Sequence, residues 1–179
     1  DHVTSIVVAD TSASIASHLD SLQDNSKLTA IAMLDKGQPL ELNVTQLTRD
    51  ADALSKIQGN YTLSLSGVSA SDALTQAQNS KVSAMSVSDT AQGIVDNLSD
   101  LAQLGGKLGS IRSNSAVLDM SASQWLNYSG VLDKMQGGYR VNLSGVGAAQ
   151  AATIAADDHV QSLAIQDSTA AIASQIGRA

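Results

Sequence analysis

A segment that occurs three times along the chain limits what this sequence can fold into. Residues 2–11 recur as residues 81–90 and again as residues 159–168, at spacings of 79 and 78 residues. Deeper in the unit, residues 54–61 recur as residues 132–139. A period of this length is typical of proteins in which one supersecondary unit stacks on the next. The 179 residues are therefore predicted to form a single repeat domain.

This predicted domain, residues 1–179, divides into repeat 1 at residues 2–80, repeat 2 at residues 81–158 and a partial repeat 3 at residues 159–179. Alternating apolar residues predict short strands with one buried face. Seven strands are expected, beginning near residues 2, 27, 60, 81, 107, 138 and 159. Residues 40–44 and 117–120 are candidates for small additional strands. The equivalent inward-facing residues are expected to be Ile6, Met85 and Leu163 in one set, and Val8, Val87 and Ile165 in another.

Helical periodicity fills the gaps between these strands. Ile15, Leu19 and Leu22 stand at positions i, i+4 and i+7, which places them on one face of a helix. Ile94, Leu98 and Leu101 have the same spacing, and Leu47, Ala51, Leu54 and Ile57 follow a similar one. The pairs Asp10-Thr11, Asp89-Thr90 and Asp167-Ser168 stand where a helix N-cap is expected.

Strands and helices that alternate in this way predict parallel strands joined by right-handed crossovers. The fold class is therefore α/β, and the expected architecture is a parallel-strand α/β solenoid of about seven strand–helix rungs. Its strand pattern resembles the beginning of a leucine-rich repeat, with an Asp one position before the Asn of that repeat. A closed, doubly wound domain is the alternative. The regular period favours the solenoid because it gives every strand the same two neighbours.

Composition excludes several classes of function. A net charge of −7 argues against a nucleic-acid partner, which needs a basic surface, and against docking on anionic membrane. The chain has no Cys, so disulfides and thiolate metal sites are excluded. No apolar run approaches the ~20 residues needed for membrane insertion. The chain also has no Phe and one Trp, so the core must be built from small aliphatic side chains.

One turn imitates a dinucleotide-binding fingerprint. Gly145 and Gly147 lie between a predicted strand and a predicted helix, and Asp167 stands at the end of the next strand. The third glycine of the fingerprint is replaced by Gln150, and the equivalent turn of repeat 1 has Ser69 in place of Gly147. This favours a structural turn over a cofactor site. We accordingly predict no cofactor-binding residues.

Catalytic and metal-binding residues are likewise not predicted. His2 and His159 are equivalent to Lys81, and an ammonium group is not a metal ligand, so these residues are expected to form a basic ladder at the strand starts. His18 is expected on a helix surface. A row of four acidic residues is the candidate for a calcium site: Asp10, Asp35, Asp89 and Asp167. Helix capping is an alternative explanation for three of the four.

The segments at residues 27–31, 65–68 and 87–91 resemble repeats of very large bacterial proteins that are exported by type I secretion. The resemblance covers essentially the whole chain and implies an extracellular or cell-surface location, with many tandem copies in an adhesin-like or surface-layer-like protein. Asp1 is not an initiator Met, so we expect a fragment of a longer chain. The partners that the resemblance implies are neighbouring repeats of the same chain, other surface proteins, or further copies that associate through the solenoid ends.

The leading hypothesis is a non-catalytic structural and interaction module of such a surface protein. One alternative is a nucleotide-binding or enzymatic α/β domain that uses the Gly145 turn. The other is an intracellular scaffold that binds partner proteins.

Overall fold

The structure is a computed structural model that describes residues 2–176 of the chain. Asp1 and residues 177–179, which belong to the predicted domain, lie outside the described residues. The strands are β1 Ile6–Asp10, β2 Leu28–Met33, β3 Leu40–Asn43, β4 Leu63–Val68, β5 Val82–Asp89, β6 Leu108–Ser113, β7 Val117–Ser121, β8 Arg140–Val146 and β9 Val160–Ile165.

The helices follow the strands along the chain. They are α1 Ser12–Ser17, α2 Leu19–Gln23, α3 Val44–Arg49, α4 Ala51–Ser55, α5 Ala70–Ala77, α6 Ala91–Asp96, α7 Leu98–Gln103, α8 Ala122–Asn127, α9 Ser129–Leu132, α10 Ala148–Ala155 and α11 Thr169–Ile176, with a 3-10 turn at Gly105–Lys107.

All strand pairs among the described residues are parallel, and each pair joins strands that are consecutive along the chain. The sheets have the orders β1-β2, β3-β4-β5-β6 and β7-β8-β9. The prediction of an α/β fold with parallel strands is confirmed. All seven predicted strands are present, and residues 2–176 contain nine strands in total. The two additional strands are β3 and β7, which arise from the short segments named as candidates.

Two isolated bridges connect the three sheets. Ile31 of β2 pairs with Ile57, and Ile111 of β6 pairs with Met135. Each bridge is held by two backbone hydrogen bonds, such as Ile31 N to the Lys56 carbonyl at 2.9 Å and Gln58 N to the Ile31 carbonyl at 2.8 Å. The chain then turns at Gly59 (φ 79°) and continues into β4. Residues 28–43, which hold β2 and β3, therefore run parallel to residues 57–68, and residues 108–121, which hold β6 and β7, run parallel to residues 135–146.

Three of the predicted helices are each divided into two short ones, and the helical segment at residues 122–132, which was not predicted, is divided in the same way. The break after α1 falls at His18, whose φ of −112° leaves the helical region and whose amide is shared between the carbonyls of Ser14 and Ile15. Equivalent breaks fall at Asp50, Asn97 and Tyr128. The bend keeps the apolar residues on both sides against the core, since Ile15 and Leu19 are both buried.

The core lies between the helices and one face of the strands. In β4 and β8 the buried residues alternate with exposed or half-buried ones, and the buried set is Leu63, Leu65, Val68, Val141, Leu143 and Val146. In the central strand β5, Met85 and Val87 are buried as predicted, whereas their equivalents Ile6, Val8 and Leu163 in β1 and β9 are only half-buried. The prediction for Ile165 is wrong, since that residue is 45% exposed. Within residues 2–176 β9 has a strand neighbour on one side only, so no strand covers its side chains on the other side.

Candidate functional site

Acidic residues at the strand ends form hydrogen bonds with the start of the following helix. Asp10 ends β1, Asp89 ends β5, and Asp167 follows β9. One carboxylate oxygen of each accepts from the next residue's amide, with N–O distances of 2.8 Å for Thr11, 2.7 Å for Thr90 and 2.7 Å for Ser168. The hydroxyl oxygen of that next residue accepts from an amide in the first turn of the helix, at 3.3 Å for Thr11, 2.9 Å for Thr90 and 3.1 Å for Ser168. The hydroxyl residue, and not the aspartate, is therefore the N-cap.

The second oxygen of two of these carboxylates extends to the neighbouring unit. Asp89 Oδ2 accepts from the Ala70 amide at 2.8 Å, and Asp167 Oδ2 accepts from the Ala148 amide at 3.0 Å. Ala70 and Ala148 are the first residues of α5 and α10. Each carboxylate thus satisfies an amide that has no partner within its own helix.

A second pair of residues makes the same contact at the other strand ends. Asp35 Oδ1, after β2, accepts from the Ser12 amide at 2.7 Å. Asn114 Oδ1, after β6, accepts from the Ala91 amide at 3.0 Å. In all four contacts the acceptor binds the first amide of the helical segment that precedes its own strand, which for Asp35 and Asn114 is the start of α1 and of α6. We call these four residues, Asp35, Asp89, Asn114 and Asp167, the strand-end acceptors.

These contacts occupy the carboxylates that were candidates for calcium. Asp35 also accepts from the Ser12 hydroxyl at 2.7 Å, and Asp10 accepts from the Ser14 hydroxyl at 2.7 Å. The hydrogen bond from the Ser14 hydroxyl, followed by that from the Thr11 amide, holds the pKa of Asp10 below its usual value. The Ser12 hydroxyl and amide lower the pKa of Asp35 in the same way. Within residues 2–176 no three His, Cys, Asp or Glu side chains are grouped to hold a metal ion.

The Gly145 turn is the candidate for nucleotide binding. Gly145 has a φ of 69° and its equivalent Gly67 a φ of 66°, so both turns use the left-handed region. The first amide of α10, at Ala148, is already bound by Asp167. In a dinucleotide site that helix terminus would face the pyrophosphate and the acid would bind a ribose. Here the carboxylate of Asp167 accepts a hydrogen bond from the N-terminus of α10 instead.

Two of the three basic residues of the predicted ladder pack on a tyrosine. Lys81 Nζ lies 3.7 Å from the ring centroid of Tyr61, which is a cation–π geometry. The equivalent His159 stacks on Tyr139, with ring centroids 4.5 Å apart and an interplanar angle of 21°. The predicted basic ladder thus takes the form of separate base–tyrosine pairs that join neighbouring strands. His2 is exposed.

The tyrosine rings of these pairs are themselves anchored. The Tyr61 hydroxyl donates to the Leu54 carbonyl at 3.2 Å. Burial raises the pKa of Tyr139. His159 Nδ1 lies 2.9 Å from Asp157 Oδ1, and the hydrogen bonds from the His159 amide and ring lower the pKa of Asp157. His18 is exposed, as predicted, with Nδ1 2.9 Å from the Ser14 carbonyl oxygen.

The outward face of the sheets carries small polar side chains that bind one another across the strands. Asn142 Nδ2 donates to Asp119 Oδ1 at 2.7 Å, and the Ser162 hydroxyl donates to Asn142 Oδ1 at 2.7 Å. The Ser66 and Ser83 hydroxyls donate to carbonyls of the preceding strands at 3.3 and 3.1 Å. The outward face therefore carries polar groups whose hydrogen bonds run between neighbouring strands.

A buried carboxylate at the α3–α4 junction has no counterpart in the sequence predictions. Asp50 is fully buried, and its Oδ1 lies 3.1 Å from Arg49 Nε. The Arg49 guanidinium also binds Asp20 on the neighbouring helix. Asp50 Oδ2 has no hydrogen-bond partner among the described residues. The equivalent residue in repeat 2 is Tyr128, so this ion pair belongs to repeat 1 alone and could not be found from the repeated pattern.

Comparison with protein-family models, with curated protein sequences and with solved structures finds no match to this chain. No helix within the part of the chain that the structure describes is long and apolar enough to cross a membrane.

Proposed function

We propose that the chain is a non-catalytic structural and interaction module, built as a parallel-strand α/β solenoid, in a secreted bacterial surface or adhesin-like protein. The strand-end acceptors carry this proposal. Each one binds the helix that precedes its own strand, so each joins a strand–helix unit to the unit before it. Contacts of this kind bind nearest neighbours, which is how stability is distributed in a solenoid.

The order of strand pairing supports the same conclusion. Successive passages of the chain pair in parallel. Strand β1 pairs with β2, β4 with β5, β5 with β6, and β8 with β9. The passage that holds β2 and β3 pairs with residues 57–68, and the passage that holds β6 and β7 pairs with residues 135–146. The boundary between repeats 1 and 2 falls between α5 and β5, and the next boundary falls between α10 and β9. Each further repeat would add its strands to the same edge.

The contacts of the Gly145 turn disfavour a nucleotide-binding function. The amide of Ala148, which a phosphate would need, donates to Asp167. The equivalent amide of Ala70 donates to Asp89. A contact that occurs in both repeats is better explained by the joining of units than by a single cofactor site. The intracellular scaffold remains a second candidate only through the leucine-rich-repeat-like strand pattern.

The location at the bacterial surface is supported by the sequence resemblance and by composition. The segments at residues 27–31, 65–68 and 87–91 resemble repeats of type I-secreted proteins. A net charge of −7 and the absence of Cys suit an acidic extracellular protein that needs no disulfides.

Small-angle scattering tests the solenoid. The variant carries a second copy of residues 81–158 inserted between residues 158 and 159. This copy would add four strands in three parallel rows, because β6 and β7 follow one another in a single row. At about 4.8 Å per row, the longest dimension is expected to grow by about 14 Å while the cross-section stays constant. Growth of the cross-section would contradict the solenoid.

Labelling of intact source cells tests the location. An antibody against the chain is expected to stain unpermeabilised cells, with a cytosolic protein as the control that stains only after permeabilisation. Staining of the chain only in permeabilised cells would favour the intracellular scaffold.

A further inference from the structure

Strand β1 has an unpaired edge. Within residues 2–176 it pairs only with β2, whereas the equivalent strand β5 lies between β4 and β6. The consequence is visible in the side chains. Met85 and Val87 of β5 are buried, but the equivalent Ile6 and Val8 of β1 are half-buried. The inward face of β1 is therefore as apolar as that of β5 and has one neighbour fewer.

Polar groups along the same edge match those that join β5 to β4. At β5, Asp89 binds the Ala70 amide and Lys81 packs on the Tyr61 ring. At β9, Asp167 binds the Ala148 amide and His159 packs on the Tyr139 ring. The equivalent residues at β1 are Asp10 and His2.

Asp10 makes the contact with the next residue's amide but not the contact with a preceding helix. Its Oδ1 binds the Thr11 amide, as Asp89 binds the Thr90 amide. Its Oδ2 binds the hydroxyl of Ser14 at 2.7 Å, where Asp89 Oδ2 extends to the preceding helix. A carboxylate oxygen accepts two hydrogen bonds, so Asp10 Oδ2 retains capacity for an incoming amide.

We infer that the free edge of β1 is a docking surface for a further unit of the same repeat, of the kind formed by residues 61–80. The incoming strand would pair with β1 as β4 pairs with β5. Asp10 would bind the first amide of the incoming helix, and His2 would pack on the incoming tyrosine. This inference rests on the proposed function, since it requires tandem copies, and it names the residues that join one copy to the next.

An extended protein tests the inference. Residues 2–80 are duplicated directly ahead of His2, so that Ser80 of the added copy precedes His2 as Ser80 precedes Lys81 in the present chain. Asp10→Ala is made in the extended protein and in the present chain. Urea unfolding then measures how much the substitution lowers the folding equilibrium constant of each protein. The decrease is expected to be about fivefold larger in the extended protein, because a contact equivalent to a helix cap is lost there.

Asp10→Asn is the matched control. Asn114 accepts from the Ala91 amide through its one carbonyl oxygen, so an asparagine at position 10 should keep the bond to the incoming amide. It gives up the local bond to the Thr11 amide, and the same variant in the present chain measures that loss. Amide hydrogen exchange gives a second readout. The Ala70 amide of the added copy should be protected in the extended protein and in Asp10→Asn, and should exchange about fivefold faster in Asp10→Ala.

An equal effect of Asp10→Ala in both proteins would overturn the inference, as would an added copy that stays unfolded. Neither result would affect the scattering test, whose inserted copy follows residue 158 and leaves the edge of β1 unchanged. A failure of this inference is therefore distinguishable from a failure of the proposed function.

Discussion

Two leucines that are neighbours in the sheet offer a sharp test of the packing. Leu143 of β8 and Leu163 of β9 are partners in the parallel register. Leu143 is 2% exposed because β8 lies between β7 and β9, whereas Leu163 is half-buried on a strand paired only with β8 in the described residues. The same substitution, Leu→Ala, at both positions therefore compares two environments with identical chemistry.

The expected magnitudes follow from burial. At Leu143 the substitution removes buried carbon atoms and leaves a cavity between two flanking strands, at a cost of about 3 kcal/mol in the free energy of unfolding. At Leu163 part of the side chain is already in solvent and the site can relax, so the cost should be about half as large. Ser144→Ala, on the outward face beside Leu143, is the control and should change the free energy by less than about 0.5 kcal/mol.

Urea unfolding followed by circular dichroism measures these differences. With a slope of about 2 kcal/mol per M, Leu143→Ala should lower the midpoint by about 1.5 M. The slope must stay constant among the variants for the comparison to hold. Equal losses at Leu143 and Leu163 would refute the reasoning, because they would mean that the free edge of β9 is covered. A large loss at Ser144 would mean that both faces of β8 are buried.

Two further predictions concern the strand ends and the turns. Since hydrogen bonds lower the folded-state pKa of Asp35 below 3.8, its contribution to stability is present above that pH and is lost as the pH falls through the lowered pKa. When the pH is lowered from about 5 to about 3, the free energy of unfolding of Asp35→Asn, measured in urea, should therefore fall less than that of the parent. An equal fall in both proteins would contradict the role given to the Asp35 carboxylate. Gly145→Ala should cost about 1 kcal/mol because φ is 69° there, whereas Gly147→Ala should be nearly neutral, since an added Cβ has no neighbour closer than 3.8 Å. Thermal unfolding of both variants checks this, and a larger loss at Gly147 than at Gly145 would contradict it.

The candidate site was only partly predictable. The pairs Asp10-Thr11 and Asp89-Thr90 were correctly placed at helix starts, because capping depends on residues close in sequence. The second bond of Asp89, to the Ala70 amide 19 residues away, was not predicted. It depends on the distance between two units, which local pattern does not encode. The repeated position of the acid was the available signal.

The pairing of Lys81 with Tyr61 was missed for the same reason. The sequence placed both residues at strand starts and predicted that the basic residues would align with one another. The structure instead pairs Lys81 and its equivalent His159 each with a tyrosine that lies just before the preceding strand. Asp50 was missed altogether, since its burial results from the packing of α3 and α4 and has no equivalent in repeat 2.

The sequence by itself determined the α/β class, the parallel strands and the approximate position of each element. These follow from the period of the repeats and from the alternation of apolar residues, both of which are properties of neighbouring residues along the chain. Tertiary structure decided which strands have two neighbours, and hence why Met85 is buried while the equivalent Ile6 is not. It also decided that the strand-end acceptors bind the first amide of an earlier helix, because a side-chain oxygen binds whichever amide the packing of the chain brings within about 3 Å.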